Sequence, residues 1–119
     1  MTPDFLYLNA RDYLLRLDIN SIVYFEADGN YTNILSANKV KHTVGMTLAK
    51  MQEILTKSLG EKAQRFVRIG KSHIVSMNYI YHIDIPKQAL ALSDGHSFYF
   101  KVSVSKEALR KLKDILTKQ

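Results

Sequence analysis

The sequence lacks cysteine altogether, which excludes disulfide and thiolate–metal frameworks and is typical of a reducing compartment. No apolar run approaches the length of about 18 residues that a membrane-spanning helix needs. The N-terminal segment carries an aspartate early and no basic stretch, so it does not resemble a signal peptide. We therefore expect a cytoplasmic protein that does not contact a membrane.

Linkers rich in proline, glycine or serine are also missing, and no internal repeat divides the 119 residues. Hydrophobic residues make up 46% of the chain, which is enough to bury a core. These observations predict a single domain that covers residues 1–119.

Positive charge is concentrated in the second half of the chain. Residues 1–60 contain six basic and six acidic residues, whereas residues 61–119 contain eleven and five, and the net charge is +6. A localised basic surface favours a polyanionic partner, because binding releases condensed counterions. An ordinary basic surface without such a partner explains the charge equally well.

The apolar pattern predicts a mostly β domain with a mid-chain helix and a C-terminal helix. Leu48, Met51 and Leu55 recur at helical spacing after Thr47, a suitable N-cap, and a second apolar stripe follows Ser105. Short strands separated by regular turns indicate a sandwich or barrel-like assembly of small antiparallel sheets. The predicted strands are residues 5–8, 13–17, 22–25, 31–35, 66–69, 73–75, 79–85, 89–92 and 98–102.

Three chemical interpretations fail, two because of residue spacing and one because a catalytic partner is missing. Gly70-Lys71-Ser72 has the ending of a phosphate-binding loop, but Arg65 stands where that motif requires its first glycine. The four histidines form no pair at a spacing of four residues and have no cysteine beside them, so we expect no metal. No nucleophile or base accompanies the acidic residues. We therefore expect neither an enzyme nor a cofactor.

Polar and basic residues instead interrupt the predicted strands at three loops. Loops of this kind on a rigid β scaffold can supply hydrogen bonds to a nucleic acid. Ordinary solvent-facing turns and a helix cap explain the same residues. The three loops are formed by Asn30, Tyr31 and Thr32, by Arg68, Gly70, Lys71 and Ser72, and by Ser103, Val104, Ser105 and Lys106.

The ordered segments of the chain resemble those of LytTR-type DNA-binding domains. The segment "YFEADGNYTNI" is similar to the strand–turn–strand signature of that family, and "TLAKMQEIL" is similar to its helix. The segment "FVRIGKSHIVSMNYI" resembles its Phe-x-Arg-x-x-x-Ser-x-x-Val-x-x-x-Tyr-Ile pattern, whose fixed positions are all present. The resemblance extends over nearly the whole chain, from residue 5 to residue 116.

The resemblance implies an elongated β–β–β arrangement of three small antiparallel sheets, and double-stranded DNA binding by loops that enter two successive major grooves. It also implies a role in bacterial transcription regulation, commonly as the output domain of a two-component response regulator. A receiver domain does not fit within this length, so the chain is a stand-alone member or the excised output domain of a longer regulator. A sensor kinase or receiver-domain partner, and a homodimer on repeated DNA sites, are further expectations.

Carried over loop by loop, the resemblance implies that Asn30 and Tyr31 meet base edges and that Lys71 and Lys106 are the main charged contacts. The hydroxyls of Thr47, Ser72 and Ser105 would donate to phosphates. Arg68 would contact a phosphate or pair with Glu26 or Asp28, and both alternatives stay open.

Three departures from the family pattern affect the expected sequence preference. Gly70 replaces a histidine that is frequent in the central loop, and Ser76 replaces the asparagine that follows the valine at position 75. Val104 replaces an arginine that could read guanine. The competing hypothesis is therefore a β-rich protein-interaction module of a signalling system, with weak or lost DNA recognition.

Overall fold

The computed structural model describes residues 4–118, which form ten β-strands and two α-helices. The strands are β1 Phe5–Asn9, β2 Leu14–Asp18, β3 Ile22–Asp28, β4 Tyr31–Ser36, β5 Lys41–Val44, β6 Phe66–Ile69, β7 His73–Ser76, β8 Ile80–Asp84, β9 Ala89–Ser93 and β10 Tyr99–Ser103. The helices are α1 Leu48–Leu59 and α2 Lys106–Thr117, and short 3-10 turns cover Ile19–Ser21, Gly60–Arg65 and Met77–Tyr79.

The strands form three antiparallel sheets, as expected from the family resemblance. A central sheet has the order β5-β4-β3-β7-β6, a hairpin pairs β1 with β2, and a third sheet has the order β10-β9-β8. The central sheet is open, with β5 and β6 at its edges, so the barrel-like alternative is wrong. The described chain extends over 43 × 36 × 26 Å.

The central sheet is covered on both faces, and the alternation of its side chains explains why. Phe25 and Ile34 pack with the β1–β2 hairpin and α1 in one apolar cluster. Their chain neighbours Tyr24 and Leu35 pack with the third sheet and α2 in the other. Because adjacent residues of a strand point to opposite faces, β3 and β4 each contribute to both clusters. The apolar run from Ile22 to Phe25 fits a strand that is buried on both sides.

Both helices begin at the predicted caps. The Thr47 hydroxyl accepts from the Lys50 N–H at 3.2 Å, and the Ser105 hydroxyl accepts from the Ala108 N–H at 3.2 Å. Each bond satisfies one of the backbone donors that a helix start leaves free. Helix α1 ends where Gly60 adopts a φ of 56° and donates to the Thr56 carbonyl.

Most of the predicted strands differ from the structure by a residue or more at an end, β3 runs three residues further than predicted, and two differences have a clear cause. Strand β5 escapes prediction because three of its four residues are polar, and it joins the sheet only as an edge strand beside β4. The predicted strand at residues 79–85 is shorter, because Met77–Tyr79 form a 3-10 turn. In that turn the Tyr79 hydroxyl donates to the Asn20 carbonyl at 2.5 Å, which ties the start of β8 to the turn before β3.

Candidate nucleic-acid interface

The β3–β4 hairpin ends in an exposed tip. Gly29 has a φ of +60°, a left-handed conformation that glycine adopts without steric cost. Asn30 and Tyr31 follow it and are both exposed, with 55% of Tyr31 accessible to solvent. The tip therefore presents one amide and one phenol side chain to a partner.

Thr32 lies inside the protein, contrary to its prediction as a contact residue. It is fully buried, and its hydroxyl donates to the Met46 carbonyl at 2.9 Å. Strand alternation turns this side chain inward immediately after the exposed Tyr31. Thr32 thus joins β4 to the segment that precedes α1, and we remove it from the predicted contacts.

A second buried polar residue, Asn33, supports the hairpin tip through its side-chain amide. Its side-chain oxygen accepts from the Thr43 hydroxyl at 2.7 Å, and its side-chain nitrogen lies 3.5 Å from Asp28 Oδ2. Asn33 is not among the residues predicted from the sequence. An asparagine within the otherwise apolar strand "YTNIL" is the signal that could have revealed it, because buried amides require partners.

The turn between β6 and β7 presents Lys71 and Ser72, both exposed. It begins at Gly70, whose φ is +61°. The Ser72 carbonyl accepts from the Ala27 N–H at 2.8 Å. This bond fixes the turn beside the end of β3, and therefore beside the hairpin tip.

Arg68 folds back onto this turn instead of pairing with Glu26 or Asp28. Its guanidinium donates to the carbonyls of Gly70 at 3.3 Å and Lys71 at 3.1 Å. It also donates to Gln52 Oε1 on α1 at 3.0 Å. The expected ion pair is therefore wrong, and Arg68 joins the turn to α1. Gln52 is a second residue that the sequence analysis missed, because its partner is distant in the chain.

The third loop lies between β10 and α2, next to the central turn. Ser103, Ser105 and Lys106 are exposed. Val104 is buried in the apolar cluster beneath α2, and its N–H donates to the Gln88 carbonyl at 3.0 Å. The two loops line a shared groove of about 370 Å³. The residues that line it are Ile69, Gly70, Lys71, Ser72, His73, Ser103, Val104 and Ser105.

The start of α1 reaches the same edge of the central sheet. Thr47 is exposed and follows Met46, the residue that Thr32 contacts. A Cβ on Gly45 would lie 3.8 Å from Tyr31 Cε1, so this segment adjoins the hairpin tip. Lys50, in the first turn of α1, is also exposed; the sequence analysis did not select it.

We call this surface the loop edge: residues 28–31, 70–72 and 103–106, with Thr47 beside them. The central turn lies between the other two loops, because it is bonded to β3 on one side and shares a groove with the third loop on the other. Three exposed lysines at or beside the loop edge, Lys50, Lys71 and Lys106, supply positive charge.

One titratable pair lies directly behind the central turn. His73 is mostly buried, and its Nε2 is 3.4 Å from Glu26 Oε2 without a well-formed hydrogen bond among the described residues. Burial lowers the pKa of His73 below its ordinary value of 6.5, and the Glu26 carboxylate opposes this only in part. This direction favours the neutral imidazole at neutral pH.

Within residues 4–118 no group of three or more metal-ligating side chains occurs. In the same part of the chain, no helix is both long and apolar enough to cross a membrane.

Comparison with known proteins identifies a family for the chain. The sequence matches the LytTr DNA-binding domain family over residues 12–117. It is 26% identical over 106 residues to the heme-containing CO-sensing transcriptional regulator RcoM 1 of Paraburkholderia xenovorans, strain LB400, and 26% identical over 103 residues to RcoM 2 of the same strain. These matches cover 89% and 87% of this chain but 37% and 36% of the two regulators, so the chain spans little more than a third of their length.

A solved structure has the same fold. It is the LytTr DNA-binding domain of a Bacillus cereus protein described as a methyl-accepting/DNA response regulator. The sequence identity is 20%, the TM-score is 0.64, and the match covers 95% of this chain and 96% of the other.

Proposed function

Because the chain belongs to the LytTr DNA-binding domain family, whose members bind DNA in bacterial transcription regulation, we propose that its loop edge is the surface that binds double-stranded DNA. One observation carries the proposal. Three loops that are distant in the sequence meet at one edge, and each of them exposes hydrogen-bonding or basic side chains. The family is one of DNA-binding domains and not of enzymes.

Phosphate binding falls to the residues whose polar groups point outward. Lys71 and Lys106 neutralise phosphates, and the hydroxyls of Ser72 and Ser105 donate to phosphate oxygens. Ser105 and Thr47 cap helices of twelve residues each, and the free N–H groups of a helix start favour an anion nearby. Capping uses each hydroxyl as an acceptor, which leaves its proton available to a phosphate.

The size of the described chain allows a path across one face of a duplex. The longest extent of the described chain is 43 Å, which exceeds one helical turn of DNA, about 34 Å. The hairpin tip and the third loop would enter successive major grooves. The central turn would face the backbone between them, with Lys71 as its charged contact.

Base recognition falls mainly to Asn30 and Tyr31. An asparagine can bond in bidentate fashion to adenine in the major groove. Gly70 offers no side chain and Val104 is buried, so neither can replace the histidine and arginine of related domains. We therefore propose a narrower set of base contacts in the third loop, limited to Ser103, because Lys106 serves a phosphate.

Selection of bound duplexes from a random pool tests this proposal, followed by titration of the selected duplex by fluorescence anisotropy. Asn30→Ala should relax the preference at one base pair, which corresponds to about 1–3 kcal/mol for a bidentate contact. Asn78→Ala, at an exposed asparagine in the turn before β8, is the matched control. The proposal would be contradicted if no sequence were enriched from the pool and no duplex were bound at low salt.

A specific observation favours a second candidate. The two positions where related domains carry base-reading side chains are a bare glycine and a buried valine. A protein-interaction module that binds a sensor kinase or a receiver domain would tolerate both. The random-pool experiment separates the two candidates, because the module predicts neither enrichment nor a salt-dependent complex.

A further inference from the structure

The β1–β2 hairpin has one face that nothing in the described chain covers. Its inner leucines, among them Leu6, Leu8 and Leu17, are buried against the central sheet and α1. Its outer side carries Tyr7, 54% exposed, and Leu14, 62% exposed. We call the outer side the hairpin face: Phe5, Tyr7, Asn9, Leu14, Arg16 and Asp18.

The strands of this hairpin also have open edges. The sheet contains only β1 and β2, so each strand has one edge to which no described strand bonds. Strand β1, "FLYLN", has neither a charged residue nor a proline. Edge strands that avoid self-association usually carry such residues, and this one carries none.

The charge of the hairpin differs from that of the remaining chain. Residues 4–18 contain two basic and three acidic residues, whereas the whole chain has a net charge of +6. Two copies of so basic a protein repel each other over most of their surface. At the hairpin this repulsion is absent.

The two charges of the hairpin face are moreover complementary to each other. Arg16 and Asp18 are both exposed on it, one of each sign. The Arg16 guanidinium lies 4.4 Å from the centre of the Phe5 ring, which holds the charge over the apolar surface. In a twofold interface the same patch meets itself, so each Arg16 can face Asp18 of the partner subunit.

We propose that the hairpin face is a docking surface for a second copy of this chain, related by a twofold axis. Tyr7 forms the apolar centre beside Phe5, Leu14 adds apolar surface at the rim, and the reciprocal Arg16–Asp18 pairs fix the orientation. A patch of one short hairpin buries less than the roughly 1,200 Å² typical of stable complexes, so the free protein associates weakly. A duplex with two sites would raise the effective concentration and make binding cooperative.

Sedimentation equilibrium of the DNA-free protein, from about 10 μM to about 1 mM, tests the proposal independently of DNA binding. The expected result is a monomer–dimer equilibrium within this range. The double variant Tyr7→Ser, Leu14→Ser should weaken dimerisation about tenfold or more, because each subunit loses apolar contact area. Tyr99→Ser, at a tyrosine of similar exposure on β10 (57%), should leave it unchanged.

A charge exchange tests the orientation. Arg16→Glu alone should weaken dimerisation, because it sets acidic groups against each other, and the added substitution Asp18→Lys in the same chain should restore it. Circular dichroism and thermal unfolding check that each variant folds, since Asp18 also accepts from the Asn20 N–H at 2.9 Å. A protein that stays monomeric at 1 mM, or a dimer unaffected by these substitutions, would overturn the proposal.

Discussion

The contacts of Arg68 lead to a prediction that separates positioning from direct phosphate binding. The guanidinium joins two carbonyls of the central turn to Gln52 on α1. Hydrogen bonds from a charged donor contribute about 1.5–3 kcal/mol at most. Arg68 is half-buried, so about 0.5–1 kcal/mol for each bond is a suitable estimate. Arg68→Ala should therefore lower the free energy of unfolding by about 2 kcal/mol.

The same substitution should weaken DNA binding indirectly. Without Arg68 the turn that carries Lys71 samples other conformations, and the apparent affinity falls with the fraction of molecules in the competent one. We expect a loss of about tenfold, equivalent to about 1.4 kcal/mol. The slope of log K against log salt should stay unchanged, because no phosphate contact is removed.

The variant Arg68→Lys separates positioning from phosphate binding, because lysine keeps the positive charge but lacks the planar guanidinium that reaches three acceptors. A positioning role predicts that lysine behaves almost like alanine in urea unfolding and in anisotropy titrations. Gln52→Ala removes one of the three bonds and should cost about a third as much stability. Arg11→Ala, at an exposed arginine in the β1–β2 turn, is the control.

Direct phosphate binding by Arg68 predicts the opposite set of results. If Arg68 binds a phosphate, Arg68→Lys retains most of the affinity, and Arg68→Ala reduces the salt slope by about 0.9. Unchanged stability in both variants would show that the three bonds contribute nothing to the fold.

Three other predictions concern the central turn and its support. Gly70→Ala should destabilise the protein by about 1–2 kcal/mol in urea unfolding, because φ is +61°; a Cβ there meets no atom within 4 Å, so a larger loss would reveal an unrecognised contact. Lys71→Ala should reduce the salt slope of DNA binding by about 0.9, whereas Lys39→Ala at the opposite end of β4 should not; equal slopes for both would remove Lys71 from the phosphate contacts. Because of His73, the protein should become less stable as pH falls below about 6.5, since the unfolded imidazole takes up a proton that the buried one resists. Thermal unfolding between pH 5 and 8 should show a flatter pH dependence for His73→Gln. Parallel curves for the two proteins would exclude His73 as the source of the pH dependence.

The sequence predicted the elements that have a strong local signal. The glycine at the β3–β4 tip predicts a turn from local sequence alone. In the same way, the capping residues Thr47 and Ser105 predict where the two helices begin. Strand β5 has no such signal, because backbone bonds to β4 hold it and its side chains do not alternate clearly.

The candidate site was less predictable for a physical reason. Thr32 follows the exposed tip residues directly, and only its burial in the folded sheet reveals that it bonds to Met46. The carbonyl partners of Arg68 have no sequence signature at all, because every residue carries a carbonyl group. Which loops meet at one edge depends on strand pairing across the whole chain.

The two-sided burial of the central sheet has a consequence for how this protein could diverge. A slip of one residue in β3 would move Phe25 to the side of α2 and Tyr24 to the side of α1, and so would exchange side chains between two differently shaped cores. The central sheet therefore holds the hairpin tip and the central turn at a constant spacing. Exposed side chains on these two loops can change while that spacing stays the same. Under the proposed function, such changes would alter the DNA sequence that is recognised and leave the spacing between the contacted bases unchanged.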